Sequence, residues 1–289
     1  MERGAMQKIG FVGLGRMGMA MAGRLGAAGM AVTAWNRSPK EFPPGVERAS
    51  SLQELVQRSD VVLSMLIDDD ATLQVHAQML AGGHARGKTF VEMGTVRLDT
   101  VRALAGMAHE AGAQFLEAPV VGTVGPALQG KLLTLVAGDK HLADSLQMVW
   151  QAYSRRVVYC GETGRGMAMK HCVNNLLSVY FAGLAEALGA GSAAGLSLEQ
   201  MLDVILDTPA ALPALAPKAG VIKGEVSPVA FSVAGAVKDL GVITRSGTEN
   251  GMPMRVTQEA MRVFSDAAQA GQADQDLAVV ARHYIRPER

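Results

Sequence analysis

The stretch Lys8-Ile9-Gly10-Phe11-Val12-Gly13-Leu14-Gly15-Arg16-Met17-Gly18 decides the fold. Residues 8–12 form an apolar run that predicts a short buried strand, and Met21, Leu25 and Ala28 continue at helical spacing after the glycines. Gly13 permits a tight turn from strand to helix. Gly15 has no Cβ, so a pyrophosphate can approach its backbone, and Gly18 allows the helix to pack close on the sheet. The helix N-terminus offers free N–H groups and the positive end of its dipole to phosphate. A glycine-rich turn alone is weak evidence; a strand before it, a helix after it and a second strand at the expected distance make it specific. The pattern predicts a dinucleotide site with Gly13, Leu14, Gly15, Arg16, Met17 and Gly18 around the phosphates.

Working outward, strand-like runs at 8–12, 31–35, 61–66, 89–93, 114–117, 132–137 and 156–159 alternate with helical patterns such as Leu52, Leu55, Val56 and Val101, Leu104, Ala105, Ala108. That alternation predicts an α/β Rossmann-type domain with a mostly parallel sheet over residues 1–163. The connection 37–50 holds Pro39, Pro43, Pro44 and Gly45 and reads as a surface loop. After Gly164 the strand signal stops. A helix pattern over 167–190 predicts a long interdomain helix, followed by helices at 198–206, 234–250, 254–270 and 274–284 and a turn region around Pro209, Pro213 and Pro217. The second domain, 164–289, is therefore expected to be all-helical and to serve substrate binding and dimerisation, with the active cleft between the domains.

The end of the second strand bears on the choice of dinucleotide. A carboxylate there would bind a ribose 2′-hydroxyl and repel a 2′-phosphate. This chain has Asn36-Arg37-Ser38 instead. Arg37 can pair with a 2′-phosphate and Ser38 can donate to it, so NADP is expected over NAD. Met65 and Leu66, which close the run 61–66, are expected to flank the cofactor.

Composition narrows the function classes. The 289 residues balance 27 Lys and Arg against 27 Asp and Glu, which argues against nucleic acid and against a polybasic membrane anchor. Hydrophobic residues make up 49%, enough for a sizeable core, while aromatics at 4% speak against base stacking. No uninterrupted apolar run reaches about 20 residues; the longest candidate, after Val173, is broken by Asn174, Asn175 and Glu186. Residues Met1 to Met6 lack the apolar segment of a signal peptide and read as a leader. Two cysteines, Cys160 and Cys172, fit a reducing, cytoplasmic setting.

At the start of the long helix, Lys170 and Asn174 are four residues apart and share one face. A lysine with an amide suits proton transfer at a hydroxyl or carbonyl, given that a lysine of ordinary pKa, about 10.4, must be buried or near positive charge to serve at neutrality. The competing reading, a solvent-facing lysine, sits poorly with a cation near a helix start. Other features read as structural. Asp68-Asp69-Asp70 fits an N-cap better than a metal site. His171 points to a different face from Lys170, His76 and His109 show no evident partner, and Cys172 is expected to pack on the helix.

At this point the chain resembles the β-hydroxyacid dehydrogenase family over nearly its whole length. Five ordered motifs carry the resemblance: the glycine turn; Glu92-Met93-Gly94-Thr95; Glu117-Ala118-Pro119-Val120-Val121-Gly122-Thr123 followed by Gly130-Lys131-Leu132; Lys170 with Asn174; and Phe231 with Lys238-Asp239-Leu240. The resemblance implies that Lys170 is the general acid/base and that Asn174 holds the reacting hydroxyl. It also implies that Pro119, Val120, Val121, Gly122 and Thr123 bind a substrate carboxylate through backbone N–H groups. Thr95 and Lys238 would contact cofactor or substrate, with Phe231 and Asp239 beside them. Two positions depart from the family pattern: Val121 and Gly94 each stand where the family has Ser. Thr123, Pro126, Ala127 and the Lys-x-x-x-Asn spacing look more like the glyoxylate/succinic semialdehyde reductase branch than the 3-hydroxyisobutyrate branch.

The function implied is an NADP(H)-dependent oxidoreductase acting on a small carboxylate-bearing β-hydroxyacid or its semialdehyde. Alternatives are an imine reductase of similar architecture, against which Lys170 speaks, and a cofactor-binding protein without turnover. No metal is expected. The Ala- and Gly-rich central helix predicts a homodimer or homotetramer.

Overall fold

The computed structural model describes residues 7–285; the leader expected at the N-terminus lies outside them. The chain parts into two compact units between Cys172 and Val173.

The first unit holds one sheet, built from β1 (Ile9–Val12), β2 (Val32–Trp35), β3 (Val46–Arg48), β4 (Val61–Ser64), β5 (Thr89–Glu92), β6 (Gln114–Glu117), β7 (Val120–Val121), β8 (Leu132–Gly138) and β9 (Ser154–Gly161). The order is β3-β2-β1-β4-β5-β6-β8-β7, with β9 beside β8. Pairing is parallel from β3 through β6, β8 runs antiparallel to β6 and β7, and β9 lies parallel to β8. The order reverses between β1 and β4, which is where open α/β sheets bind ligands. β3 falls inside the connection expected to be a loop, and β7 has two residues; both are too short to show alternation.

Strands β1, β4 and β5 are buried at every residue, because helices cover both faces. Those helices are α1 (Arg16–Ala27), α2 (Leu52–Arg58), α3 (Asp69–Ala81), α4 (Leu98–Glu110), α5 (Val124–Leu128), α6 (Lys140–Ser145) and α7 (Gln147–Tyr153). Phe11, Leu63 and Val91 face a core with Met21, Leu25 and Trp150. Their strand neighbours Val12, Val62 and Phe90 face the opposite core with Leu55, Val56 and Met79. This is the period-2 alternation of a strand. Ser51 caps α2, and Asp68 caps α3 by accepting from the Ala71 N–H at 2.8 Å.

The helix α8 (Arg165–Ala193) crosses the division. It begins in the first unit, so the two compact units part inside the helix. Glu117 at the end of β6 takes hydrogen bonds from Gly164, Gly166 and Met167 and ties the helix start to the sheet. By length and composition α8 could cross a membrane, its most apolar 18-residue window having a mean hydropathy of 1.3. Its Phe181, Ala185 and Leu188 lie in the core of the second unit, as in the core helix of a globular domain.

The second unit adds α9 (Leu198–Leu206), α10 (Ala219–Lys223), α11 (Val233–Glu249) and α12 (Arg255–Ala267). Leu202, Ile222, Leu240 and Phe264 fill its core with the α8 residues. The expected final helix over 274–284 is a 3₁₀ segment, Leu277–Arg282. Leu277, Ala278, Val279, Val280 and Ala281 are all buried, and an amphipathic surface helix does not bury five consecutive residues.

Candidate active site

The glycine turn has the geometry its sequence required. Gly13 has φ 93°, and a Cβ there would run into the Met65 carbonyl and lie 3.1 Å from Leu66 Cδ2; Met65 and Leu66 therefore wall the turn. A Cβ on Gly18 would collide with the Gly13 carbonyl, whereas one on Gly15 would meet nothing within 4 Å. That open space beside the start of α1, whose N-cap Gly15 offers no side-chain acceptor, fits a pyrophosphate. Leu14 is buried, Arg16 is exposed and Met17 half-buried. Asn36 serves the turn itself: its Oδ1 accepts from the Leu14 N–H at 2.9 Å, and its Nδ2 donates to the Ser38 carbonyl at 2.9 Å. Arg37 and Ser38 stand exposed just beyond β2.

The turn after β5 is held from beneath. The Gly94 N–H donates to Glu92 Oε1 at 2.6 Å, and Ser64 Oγ donates to Glu92 Oε2 at 2.6 Å. His76 Nε2 lies 2.9 Å from Ser64 Oγ and 3.3 Å from Glu92 Oε2. The expectation that His76 has no partner is thus corrected: β4 and β5 bring Ser64 and Glu92 beneath α3, a long-range pairing without a local sequence signal. Thr95 follows, half-buried. Beyond it, Asp69 Oδ1 accepts from the Arg97 N–H at 2.8 Å and from Thr100 Oγ1 at 2.5 Å.

The segment expected to hold the substrate carboxylate leaves β6 at Glu117. The Pro119 carbonyl accepts from the Leu135 N–H at 2.9 Å, and Val120 and Val121 form β7 opposite Thr134 and Leu133. Gly122 has φ 131°, and Thr123 opens α5. Glu117 accepts from the Gly164 N–H at 2.6 Å, from Gly166 at 3.0 Å and from Met167 at 3.2 Å. Burial raises its carboxyl from 4.5 to about 7, against the pull of those three N–H donors.

On α8, Lys170 is 8% exposed and Asn174 is 7% exposed, so the solvent-facing reading of Lys170 does not hold. His171 turns to another face, where Nε2 lies 2.9 Å from the Val96 carbonyl. Cys172 is exposed and does not pack as expected, because its position on the helix falls outside the buried stripe. In the second unit, Asn174 Nδ2 donates to Asp239 Oδ2 at 2.6 Å, and Lys238 Nζ lies 2.6 Å from Asp239 Oδ1. Phe231 is half-buried just ahead of α11.

A glycine turn shaped for a pyrophosphate and a buried lysine one turn from a buried amide define the chain as a dinucleotide-dependent oxidoreductase. Residues 8–161 match the NAD binding domain of 6-phosphogluconate dehydrogenase, and residues 164–284 match the NAD-binding domain of NADP-dependent 3-hydroxyisobutyrate dehydrogenase. Glyoxylate/succinic semialdehyde reductase 1 of Arabidopsis thaliana is 30% identical over 94% of this chain and 96% of its own length. The cytokine-like nuclear factor N-PAC of Mus musculus is 31% identical over 96% of this chain, which spans 51% of that protein. The structure of 3-hydroxyisobutyrate dehydrogenase from Mycobacterium tuberculosis with L-serine has a TM-score of 0.85 at 26% identity, covering 96% of this chain and 99% of that one. The chain belongs to the 3-hydroxyisobutyrate dehydrogenase group of the β-hydroxyacid dehydrogenase family. It is an NAD(P)-dependent enzyme of the dehydrogenase/reductase class that acts on hydroxyl groups.

Glu92, Ser64, His76 and the anchoring role of Glu117 were not read from the sequence. The available signal was a carboxylate closing each of two apolar strand runs, where a buried charge needs donors.

Proposed function

We propose that the protein interconverts a short β-hydroxyacid and its semialdehyde using NADP(H). The observation that carries this reading is the buried Lys170 one helical turn before Asn174, whose amide is oriented by Asp239. In the reductive direction Lys170 Nζ gives a proton to the aldehyde oxygen, and in the oxidative direction it removes the hydroxyl proton. Asn174 holds that oxygen. Backbone N–H groups of residues 119–123 hold the carboxylate, and the family resemblance assigns cofactor or substrate contacts to Thr95, Phe231 and Lys238. The reduced dinucleotide, when bound, supplies the hydride to the aldehyde carbon.

NADP is favoured by Arg37 and Ser38 at the exposed end of β2, where no carboxylate stands to repel a 2′-phosphate. A glyoxylate- or succinic-semialdehyde-like substrate is supported by the relative of that name. Val121 brings no hydroxyl to the carboxylate, so recognition falls on the backbone. We also propose a homodimer or homotetramer, supported by exposed Met169 and Leu176 on α8, and a reducing, cytoplasmic setting, supported by two free cysteines.

The test is NADPH oxidation by wild type and Lys170→Ala against glyoxylate, succinic semialdehyde, methylmalonate semialdehyde, tartronate semialdehyde and cyclic imines. Turnover of one aldehyde, lost in the variant, is expected. Turnover of imines alone, or NADPH binding with no turnover, would overturn the assignment.

A further inference from the structure

Gly94 departs from the family's Ser, and the structure shows what excludes a side chain there. A Cβ at position 94 would lie 2.7 Å from Glu92 Oε1 and 2.8 Å from the Leu66 carbonyl, both inside any normal contact. The Glu92 carboxylate occupies that room and takes the Gly94 N–H at 2.6 Å.

We infer that Glu92 is a positioning residue of the cofactor site: its buried carboxylate, braced by Ser64 and His76, stands in for a side chain at position 94 and sets the backbone that presents Thr95 to the nicotinamide end of the dinucleotide. The inference rests on the family-based reading of Thr95.

The hydrogen-bond inventory supports a fixed arrangement. Ser64, His76 and Glu92 are each fully buried, and a buried carboxylate needs donors on both oxygens. Oε1 has the Gly94 N–H and Oε2 has the Ser64 hydroxyl. The Ser64 proton is then committed, so Ser64 Oγ accepts from His76 Nε2–H at 2.9 Å. His76 Nδ1 has no hydrogen-bond partner among the described residues, so the ring's polar contacts run through Nε2 alone. The ring sits 6.2 Å from that of Phe90 and 6.5 Å from that of Phe115.

Thr95 is bracketed on both sides. Glu92 holds the N–H of Gly94, His171 holds the carbonyl of Val96, and Asp69 holds the N–H of Arg97. With its neighbours pinned, Thr95 has one backbone position.

The test compares binding of NADPH with binding of 2′-phospho-ADP-ribose, the same cofactor without nicotinamide, by fluorescence and calorimetric titration. Glu92→Leu is expected to weaken NADPH about tenfold, the loss of one charge-assisted hydrogen bond, and to leave the fragment unchanged. Glu92→Gln retains an oxygen for the Gly94 N–H, and Ser64 can rotate to donate to the Val91 carbonyl 3.1 Å away, so it is expected to restore NADPH binding. If Glu92→Leu does not fold, Gly94→Ala makes the same comparison. Equal loss of both ligands, or loss of neither, overturns the inference and leaves Glu92 as core support. Thr95→Val separates the two layers. Selective loss of NADPH there without a matching loss in Glu92→Leu defeats the positioning role alone. No effect of Thr95→Val defeats the reading of Thr95 and the inference with it.

Discussion

Asn174 donates from Nδ2 to Oδ2 of Asp239 at 2.6 Å, and the other oxygen of that carboxylate is held by Lys238. One amide proton of Asn174 is thereby spent, which orients the amide; under the proposed function its Oδ1 is the acceptor for the substrate hydroxyl. Asp239→Ala is expected to lower kcat/KM about 10- to 100-fold, with NADPH affinity nearly unchanged. Asp239→Asn, which keeps an acceptor for the amide, is expected to recover much of that loss in steady-state assays.

Lys170→Ala is expected to lower kcat about 10²- to 10⁴-fold, the usual worth of a positioned acid/base, while fluorescence titration shows NADPH binding retained. Lys170→Arg is expected to fail equally, because a guanidinium does not release its proton. Wild-type rates in the arginine variant would remove proton transfer from the role of this side chain.

Arg37→Ala is expected to weaken NADPH about tenfold or more and to leave NADH nearly untouched, since the contact proposed for Arg37 is to the 2′-phosphate. Paired titrations of the two cofactors decide it; equal losses would remove the preference for NADP.

Glu117 couples stability to pH. Its carboxyl is raised from 4.5 to about 7 by burial, so the folded protein holds a proton that the unfolded chain releases. The stability from that proton is complete below the ordinary carboxylate range and is lost as pH rises through about 7. Unfolding free energy from denaturant titration is expected to fall between pH 5 and pH 8 by up to about 3 kcal/mol. Glu117→Gln is expected to flatten that slope.

Leu176 is 70% exposed and Met169 is 47% exposed on α8. If this face meets a second copy, Leu176→Glu is expected to lower the mass measured by light scattering toward that of one chain. A wild-type protein that is already monomeric would refute the oligomer.

The glycine turn, the alternating strands and the long helix were legible in the sequence because each depends on residues close in the chain: a positive φ at Gly13, apolar pairs two residues apart, an apolar stripe four apart. Lys170 and Asn174 were legible for the same reason, and the family resemblance supplied their roles. Short β3 and β7, and the 3₁₀ segment at Leu277–Arg282, escaped because neither period has room to show in them. Val121 is placed by its pairing with Leu133, which no local pattern announces.

The sequence by itself determined that a strand, a glycine turn and a helix make a dinucleotide site, and that a lysine and an amide share one helical face. Only the tertiary structure decided how those groups are held. Glu92 reaches Ser64 across 28 positions, Glu117 reaches Gly164 across 47, and Asn174 reaches Asp239 across 65. The physical reason is that a buried polar group must find a partner wherever the packed chain brings one, and packing brings together residues that local periodicity does not relate.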